Sequence, residues 1–275
     1  TELFTGEVKN QLIKHKDIFN KFHSFGYQMA SYKGLLLNQA YVLYSPVSNL
    51  QNNSVWEVKL DAPSSCGPQI MINHKTGMEE IFAQDIENKI YLISNTGKIL
   101  WKKVIDGQIK GKVYQIDYFQ NNKLQYVFNT AKAIYIIDRN GNEVTGFPLA
   151  LNKRATNGLS VFDYENNRDY RFVLCDADNK IRIFKSNGKE VEGFEFSGTH
   201  DSVNIPLKWE RINFKDYLLA LDQSGNLYGV GRKGESRLKF EEKLPIKNFN
   251  YCVEYGKDID KLLHILKFLP YNLEG

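Results

Sequence analysis

A strand–turn–strand pattern recurring about every 45 residues constrains this chain more than any other feature. Four segments carry it: Lys89–Ile105, Ala133–Leu149, Lys180–Phe196 and Asn226–Leu238. Each is an apolar strand, a polar turn with glycine, and a second strand. The turn glycines Gly97, Gly141, Gly188 and Gly234 are spaced 44, 47 and 46 residues apart. Two more strands precede each hairpin. The nearer ones are Ile81–Asp85, Leu124–Thr130, Tyr170–Ala177 and Tyr217–Gln223; the earlier ones begin at Gln69, Lys112, Gly158 and Leu207. The unit is therefore four short antiparallel strands, which is the period and strand count of a propeller blade. The predicted fold class is all-β, a β-propeller of about five to six four-stranded antiparallel blades with one N-terminal α-helix.

Alternation along the strands agrees. In Ala133–Ile137, Ile134 and Ile136 face one way while Tyr135 and Ile137 face the other, so both faces are apolar. Such a strand needs a neighbouring blade on each side. The Asn140-Gly141 and Asn187-Gly188 pairs predict turns with φ > 0, of the primed hairpin type. The wealth of Tyr (16) and Phe (17) against 3 Met suits pleated, half-buried surfaces.

At the ends the pattern degrades. Trp56 lies 45 residues before Trp101 and is expected in the fourth strand of a degenerate blade, whose earlier strands come from Tyr27–Tyr44. Asn250–Tyr255 and the run beginning at Lys261 read as two final strands. A ring that starts late in one blade and ends early in another closes by sharing strands between its ends, which protects sheet edges. Val8, Leu12, His15, Ile18, Phe19 and Phe22 recur at helical spacing and predict a helix over Glu7–Phe22. The expected division is residues 1–24 as helix and lead-in and 25–275 as propeller.

Charge and cysteine usage narrow the function classes. A net charge of +4 with Lys and Arg interleaved with Asp and Glu does not give the one-sided basic face of a nucleic-acid binder. Cys66, Cys175 and Cys252 are isolated, which predicts neither a disulfide framework nor a zinc site. No run of about 18 apolar residues occurs, so no membrane-spanning helix is expected. The start at Thr1, without Met or a signal-peptide pattern, is read as a trimmed or mature start.

The segment Tyr91–Gly107 (YLISNTGKILWKKVIDG) resembles the repeat of quinoprotein-type (PQQ-like) propellers, whose blades carry a TGK-x-x-W turn and strand. The resemblance implies that Trp101 and Trp56 pack between blades; Phe147 and Phe194 lie near the Trp position in other units. Quinone-dependent relatives of that type are larger, eight-bladed rings with calcium, a catalytic Asp and often a vicinal cysteine pair. This chain has no adjacent cysteines, and the repeat marks a fold, not a site. Residues 25 to about 240 also resemble an uncharacterised bacterial family with a propeller-like C-terminal region, on Val55–Pro63, Ile137–Leu149 and Phe162–Phe172. Its members look like cell-envelope proteins, which implies a bacterial envelope or periplasmic setting, with the cytoplasm as alternative. No chemistry transfers with that resemblance.

Catalysis is not expected. His15, His23, His74, His200 and His264 are scattered, and none sits in a hydrolase or metalloprotease motif. The run Asp163, Glu165, Asn167, Asp169 offers oxygens at alternate positions, a pattern that could hold Ca²⁺. The plain reading is a hairpin turn using Asp and Asn. Asp138–Glu143 resembles half of an EF-hand loop and is likewise read as a turn. The binding expectation is topological. In a propeller the inter-blade loops and those between second and third strands share one face, and binding residues favour loops on rigid scaffolds. Arg154, Thr156, Asn157, Asp176, Asp178, His200 and Asp201 are the candidate residues there. The predicted function is a non-catalytic scaffold binding a protein partner; the alternatives are a glycan- or small-ligand-binding module and a degenerate hydrolase or lyase. Aromatics are nearly absent from the inter-blade loops, which disfavours glycan.

Overall fold

The computed structural model describes residues 55–212 and 214–239, the strand backbones at 22–32, 35–44, 249–251 and 268–270, and a few isolated positions. The chain divides into two compact units, residues 1–57 and 58–275. In the first, β1 (Phe22–Tyr32) pairs antiparallel with β2 (Leu35–Tyr44), from Phe22↔Tyr44 to Tyr32↔Leu35. Gly6, Asn10 and Lys14 are helical. Of the rest of the expected helix, His15 is in a turn and Phe22, expected at its end, instead opens β1; the remaining positions lie outside the described residues. Residues 55–60 are irregular, so Trp56 does not occupy a fourth strand.

The second unit carries the repeat. Blade 1 is β3 (Gln69–Ile72), β4 (Glu79–Gln84), β5 (Lys89–Ile93) and β6 (Ile99–Val104), each paired antiparallel with the next. Blade 2 is β7 (Tyr114–Ile116), β8 (Gln125–Asn129), β9 (Ala133–Ile137) and the two-residue β10 (Leu149–Ala150). Blade 3 is β11 (Ser160–Phe162), β12 (Arg171–Cys175) and β13 (Ile181–Lys185). Blade 4 is β14 (Lys208–Ile212), β15 (Lys215–Leu221), β16 (Leu227–Val230) and β17 (Ser236–Lys239). A last hairpin pairs β18 (Phe249–Tyr251) with β19 (Phe268–Pro270). The expected strand beginning at Lys261 lies outside the described residues. Ring closure rests on residues that mostly lie outside the described ones. The fold is an all-β propeller with four blades among the described residues.

Blade 3 departs from the expected four strands. After β13 the chain pairs at a single bridge, Phe184↔Glu190, with Val191 N–H bonded to Ile183 O at 2.7 Å. It then leaves its own sheet, because Glu195 N–H bonds to Lys233 O in the turn of blade 4 at 2.8 Å. The fourth segment is drawn across the interface before it can extend its ladder.

The core is built between blades. Met71, Phe82, Ile90 and Leu92 of blade 1 form one buried cluster with Tyr126, Phe128, Tyr135 and Ile137 of blade 2. Val127, Ile134 and Ile136, on the other face of blade 2, pack with Leu159, Phe172 and Leu174 of blade 3. Val173, Cys175, Ile181 and Ile183 pack with Leu218, Ala220 and Val230 of blade 4. Each fully buried Leu, Ile or Phe contributes about 1.5–3 kcal/mol relative to exposure. Cys175 serves as a small hydrophobe here, and burial pushes its thiol up to about 12.

Trp101 ties blade 1 to blade 2, as the quinoprotein-type resemblance implies. Its indole N–H donates to Arg139 O at 2.7 Å, and its ring meets Phe82 edge-on at 6.0 Å. The ring rests over the β9–β10 turn, where a Cβ on Gly141 would stand 3.0 Å from it. Gly141 has φ +89°, while Asn140 does not have positive φ. Gly141 N–H bonds to Asp138 O at 3.0 Å and Asp138 N–H to Asn142 O at 2.8 Å. The turn is therefore an ordinary turn closed by a left-handed glycine, not the primed two-residue type expected. The Asn187-Gly188 turn repeats it, with only Gly188 left-handed.

Gly141→Val combines left-handed strain with a clash against Trp101. It is expected to cost about 2–3 kcal/mol and to lower the melting temperature by several degrees. A thermal melt beside Lys98→Ala, an exposed control, checks this; matching melts would refute it.

Candidate functional site on the loop face

The loop face is assembled by backbone hydrogen bonds between two sets of loops. In blade 1, Ile86 N–H bonds to Pro63 O and Ser65 N–H to Gln84 O, both at 2.9 Å. Blade 2 has Lys110 N–H to Asn129 O at 2.9 Å. Blade 3 has Ala177 N–H to Arg154 O and Thr156 N–H to Cys175 O, both at 2.9 Å, and blade 4 has Gln223 N–H to Ser202 O at 2.9 Å. Each inter-blade loop is thus clamped to the turn between second and third strands, as the topology predicts.

A buried carboxylate anchors this clamp in three blades. Asp85 Oδ1 accepts the N–H groups of Glu87 and Lys89, both at 2.9 Å, and Oδ2 accepts the Tyr91 hydroxyl at 2.6 Å. Asp222 Oδ1 accepts Ser224 and Asn226 N–H at 3.0 and 2.9 Å, and Oδ2 accepts the Tyr228 hydroxyl at 2.8 Å. Asp176 does the same for Asp178 and Lys180 N–H, but its Oδ2 accepts Arg182 Nε at 2.7 Å. In blade 2, Thr130 Oγ1 accepts Lys132 and Ala133 N–H, both at 3.1 Å. The tyrosines complete the device. Tyr91, Tyr135 and Tyr228 accept the N–H of Asp61, Asp106 and His200 at 3.2, 3.2 and 2.7 Å.

These contacts set the local acidities. Burial opposes ionisation of Asp85 and Asp222, yet the donors around them outweigh it and both pKa values are lowered. Burial lifts Tyr91 and Tyr135 to about 12, and for Tyr91 the neighbouring Asp85 adds to it. Asp61, held by hydrogen bonds from Lys102 and Lys89, is lowered to about 2.

The seven candidate binding residues all fall on this face but differ in exposure. Asn157 is buried: its Oδ1 accepts Cys175 N–H at 2.8 Å and its Nδ2 donates to Ile205 O at 3.0 Å. Thr156 Oγ1 donates to Val203 O at 2.7 Å. Asp176 is buried at the centre of its turn. Asp201 is half-buried, accepting Ser224 Oγ at 2.8 Å. Arg154, Asp178 and His200 are exposed, and Asp178 pairs with the exposed Lys153 at 3.1 Å.

The Asp163–Asp169 run takes the form of the plain turn, and its side chains are engaged by protein donors. Asp163 accepts Asn167 and Arg168 N–H at 3.0 and 2.8 Å, closing its own turn. Glu165 pairs with Arg211 and Arg232 at 3.2 and 2.6 Å. Asn167 Oδ1 accepts Asp169 N–H at 3.0 Å, and Asp169 pairs with Arg171 at 2.5 Å. The four residues turn their oxygens to four different sets of protein donors, so they do not converge. Among the described residues no three His, Cys, Asp or Glu side chains group to hold a metal. Asp138, in the EF-hand-like segment, likewise caps its own turn through Asn140 and Asn142 N–H.

A cleft at the other end of the strands has no local signal in the sequence. A cavity of about 290 Å³ lies between blades 1 and 2, lined by His74, Phe119, Lys123 and Arg139 among others. His74 Nδ1 accepts Leu124 N–H at 3.2 Å; burial, then Arg139, lowers its pKa.

No family model matches the chain, and no curated protein matches it by sequence. Solved structures match the fold. The structure of BBS1N in complex with ARL6DN aligns with TM-score 0.50 at 12% identity, over 68% of this chain and 59% of that one. BamB from Moraxella catarrhalis aligns with TM-score 0.45 at 12% identity, over 67% and 54%. The chain thus spans about three fifths of the BBS1N structure. Among the described residues no helix is long and apolar enough to cross a membrane.

The carboxylate anchors have a signature in pH. Asp85 and Asp222 have lowered folded-state pKa values, so their stabilisation is present above the unfolded value near 4 and lost as pH falls through the folded one. Tyr91 and Tyr135 are raised, so their stabilisation holds below about 10 and is lost as pH rises toward about 12. Melting temperature against pH is expected to form a plateau with losses on both sides. Asp222→Asn should melt lower at neutral pH and show a shallower acid decline; a decline parallel to wild type would remove Asp222 from the anchor.

Proposed function

We propose that this chain is a non-catalytic propeller scaffold that binds a protein partner through the loop face. The observation that carries this reading is the clamp: every described inter-blade loop is bonded to a turn anchored by a buried Asp or Thr. A surface ordered before binding loses little conformational entropy when a partner arrives. The exposed groups it presents are short-range and of both signs, with Lys153, Arg154, Asp178 and His200 on neighbouring loops. Mixed charges on a rigid frame select a partner by electrostatic complementarity.

The fold neighbour BBS1N, whose structure was determined with ARL6DN, is a protein of like fold in a complex. It agrees in kind with an adaptor role and names no partner for this chain. The bacterial envelope setting belongs to the same proposal and rests on the sequence resemblance of Val55–Pro63, Ile137–Leu149 and Phe162–Phe172.

The test is charge reversal at the two exposed cations Lys153 and Arg154. The 275-residue chain serves as bait in a bacterial envelope extract, beside a Lys153→Glu, Arg154→Glu variant. Breaking the exposed Lys153–Asp178 pair costs at most about 1 kcal/mol, so melting should be nearly unchanged. A partner retained by wild type should bind the variant roughly tenfold or more weakly. Equal capture by both baits moves the interface off this face.

A further inference from the structure

The blades are near copies, so a position where one departs from the rest carries information. In blades 1, 2 and 4 a tyrosine stands early in the third strand, at its third position in blades 1 and 2 and its second in blade 4. It pairs in register with the second strand: Tyr91↔Ala83, Tyr135↔Phe128 and Tyr228↔Ala220. Blade 3 has Arg182↔Leu174 at that place. The loop residue opposite is also fixed by register. Counting back four from Ser65, Lys110 and Thr156, whose N–H groups make equivalent bonds, reaches Asp61, Asp106 and Asn152. The N–H groups of Asp61, Asp106 and His200 each meet a tyrosine oxygen. Asn152 holds the equivalent place in the arginine blade, where it and Arg182 line one cavity.

A guanidinium has no lone pair with which to accept that N–H. Arg182 donates instead, through Nε to Asp176 Oδ2 at 2.7 Å and Nη1 to Glu190 Oε1 at 3.2 Å. Among the described residues Asn152 N–H has no hydrogen-bond partner. Beside it lies a cavity of about 80 Å³ between Leu151 and the blade-3 residues Leu174, Arg182 and Phe184, with Glu190 also in its wall. One water needs about 10–15 Å³ on this scale, so the space takes about five to eight heavy atoms, a range that includes the seven of a phenol. The equivalent space at the neighbouring interfaces is filled. Tyr135 stacks on Phe128 at 5.2 Å, and Tyr228 meets Phe196 edge-on at 5.8 Å.

We propose that this notch between blades 2 and 3 receives a tyrosine side chain of the protein partner, supplying from outside the phenol that Arg182 replaces. The ring fills the space against Leu151, Leu174 and Phe184, and its oxygen accepts Asn152 N–H. Its hydroxyl donates to Glu190. Asp176, Arg182 and Glu190 together carry one net negative charge, and Lys153 is matched by Asp178, so a neutral hydroxyl suits the notch better than a carboxylate. The source of the tyrosine rests on the protein-binding reading above; the notch itself can be tested without a partner.

The experiment titrates the full chain with N-acetyl-tyrosinamide and N-acetyl-phenylalaninamide, followed by NMR shifts of the Asn152 and Lys153 amides. The tyrosine compound should bind in the millimolar range and the phenylalanine compound about fivefold more weakly, the worth of one hydrogen bond. Arg182→Tyr builds the sister-blade arrangement into blade 3. It should keep or raise the melting temperature and abolish the shifts. Equal binding of both compounds, no binding at millimolar concentration, or undiminished binding to a folded Arg182→Tyr variant overturns the notch. A partner that still binds Arg182→Tyr at wild-type strength keeps the loop-face reading and removes the tyrosine from it.

Discussion

Everything in the repeat unit depends on burial between blades. A strand such as β9, buried at all five positions, has no solvent face, so blade 2 exists only with a neighbour on each side. Phe82 and Phe128 meet across the first interface at 5.7 Å, and Phe147 and Phe172 meet across the second at 6.4 Å. Stability is then a chain of nearest-neighbour terms, and loss of one interface exposes apolar surface on two blades at once. Ion pairs staple the same interfaces near their polar ends. Arg139 of blade 2 pairs with the buried Glu80 of blade 1, and Arg168 of blade 3 pairs with the buried Asp117 of blade 2 at 2.5 Å. Removing either arginine would leave a buried carboxylate without its counter-charge, which costs more than the pair contributes.

The loop face follows from this stacking. Adjacent blades bring the end of one sheet beside the second turn of the next, and the backbone groups left there must find partners. The buried Asp and Tyr residues supply them. Asp222 collects five donors, two from its own turn's backbone, one from the Asp201 amide, and the side chains of Asn226 and Tyr228. Such charge-assisted bonds are stronger than neutral ones and hold the loop in one geometry. The same residues that look like a binding constellation in the sequence are, for Asn157 and Asp176, the supports beneath it.

The hairpins, their period and the sharing of one face by two loop sets were all legible, because each has a local cue: alternating apolar residues, a turn glycine, a fixed spacing. What escaped was set by contacts between units of the repeat. Glu190–Phe196 has a strand's composition, but a bond to Lys233 pulls it away from its own sheet. The Asp163–Asp169 turn had its local cue, but the pairing of Glu165 with Arg211 and Arg232, distant in sequence, had none. The Asp–Tyr device had a sequence trace in Asp85 with Tyr91 and Asp222 with Tyr228, six residues apart. Thr130 and Arg182 interrupt it in the two middle blades, and only the register of the sheets shows that all four positions are the same.

That interruption is informative because the fold is modular. In a core with one centre, replacing a buried tyrosine by arginine would disturb every neighbour. Here the change is confined to one interface, since Arg182 keeps the role of donor to Asp176 while surrendering the role of acceptor to the loop. The turn Asp176–Lys180 therefore stays anchored, and the interface between blades 3 and 4, on the opposite face of the sheet, keeps its Val173, Ile183 and Leu218 packing. The cost falls entirely on one backbone amide and one small volume beside it. A repeat protein can acquire a binding position in this way without redesigning its core: one blade gives up an internal contact that its sisters retain, and the vacated contact already has the geometry of a site.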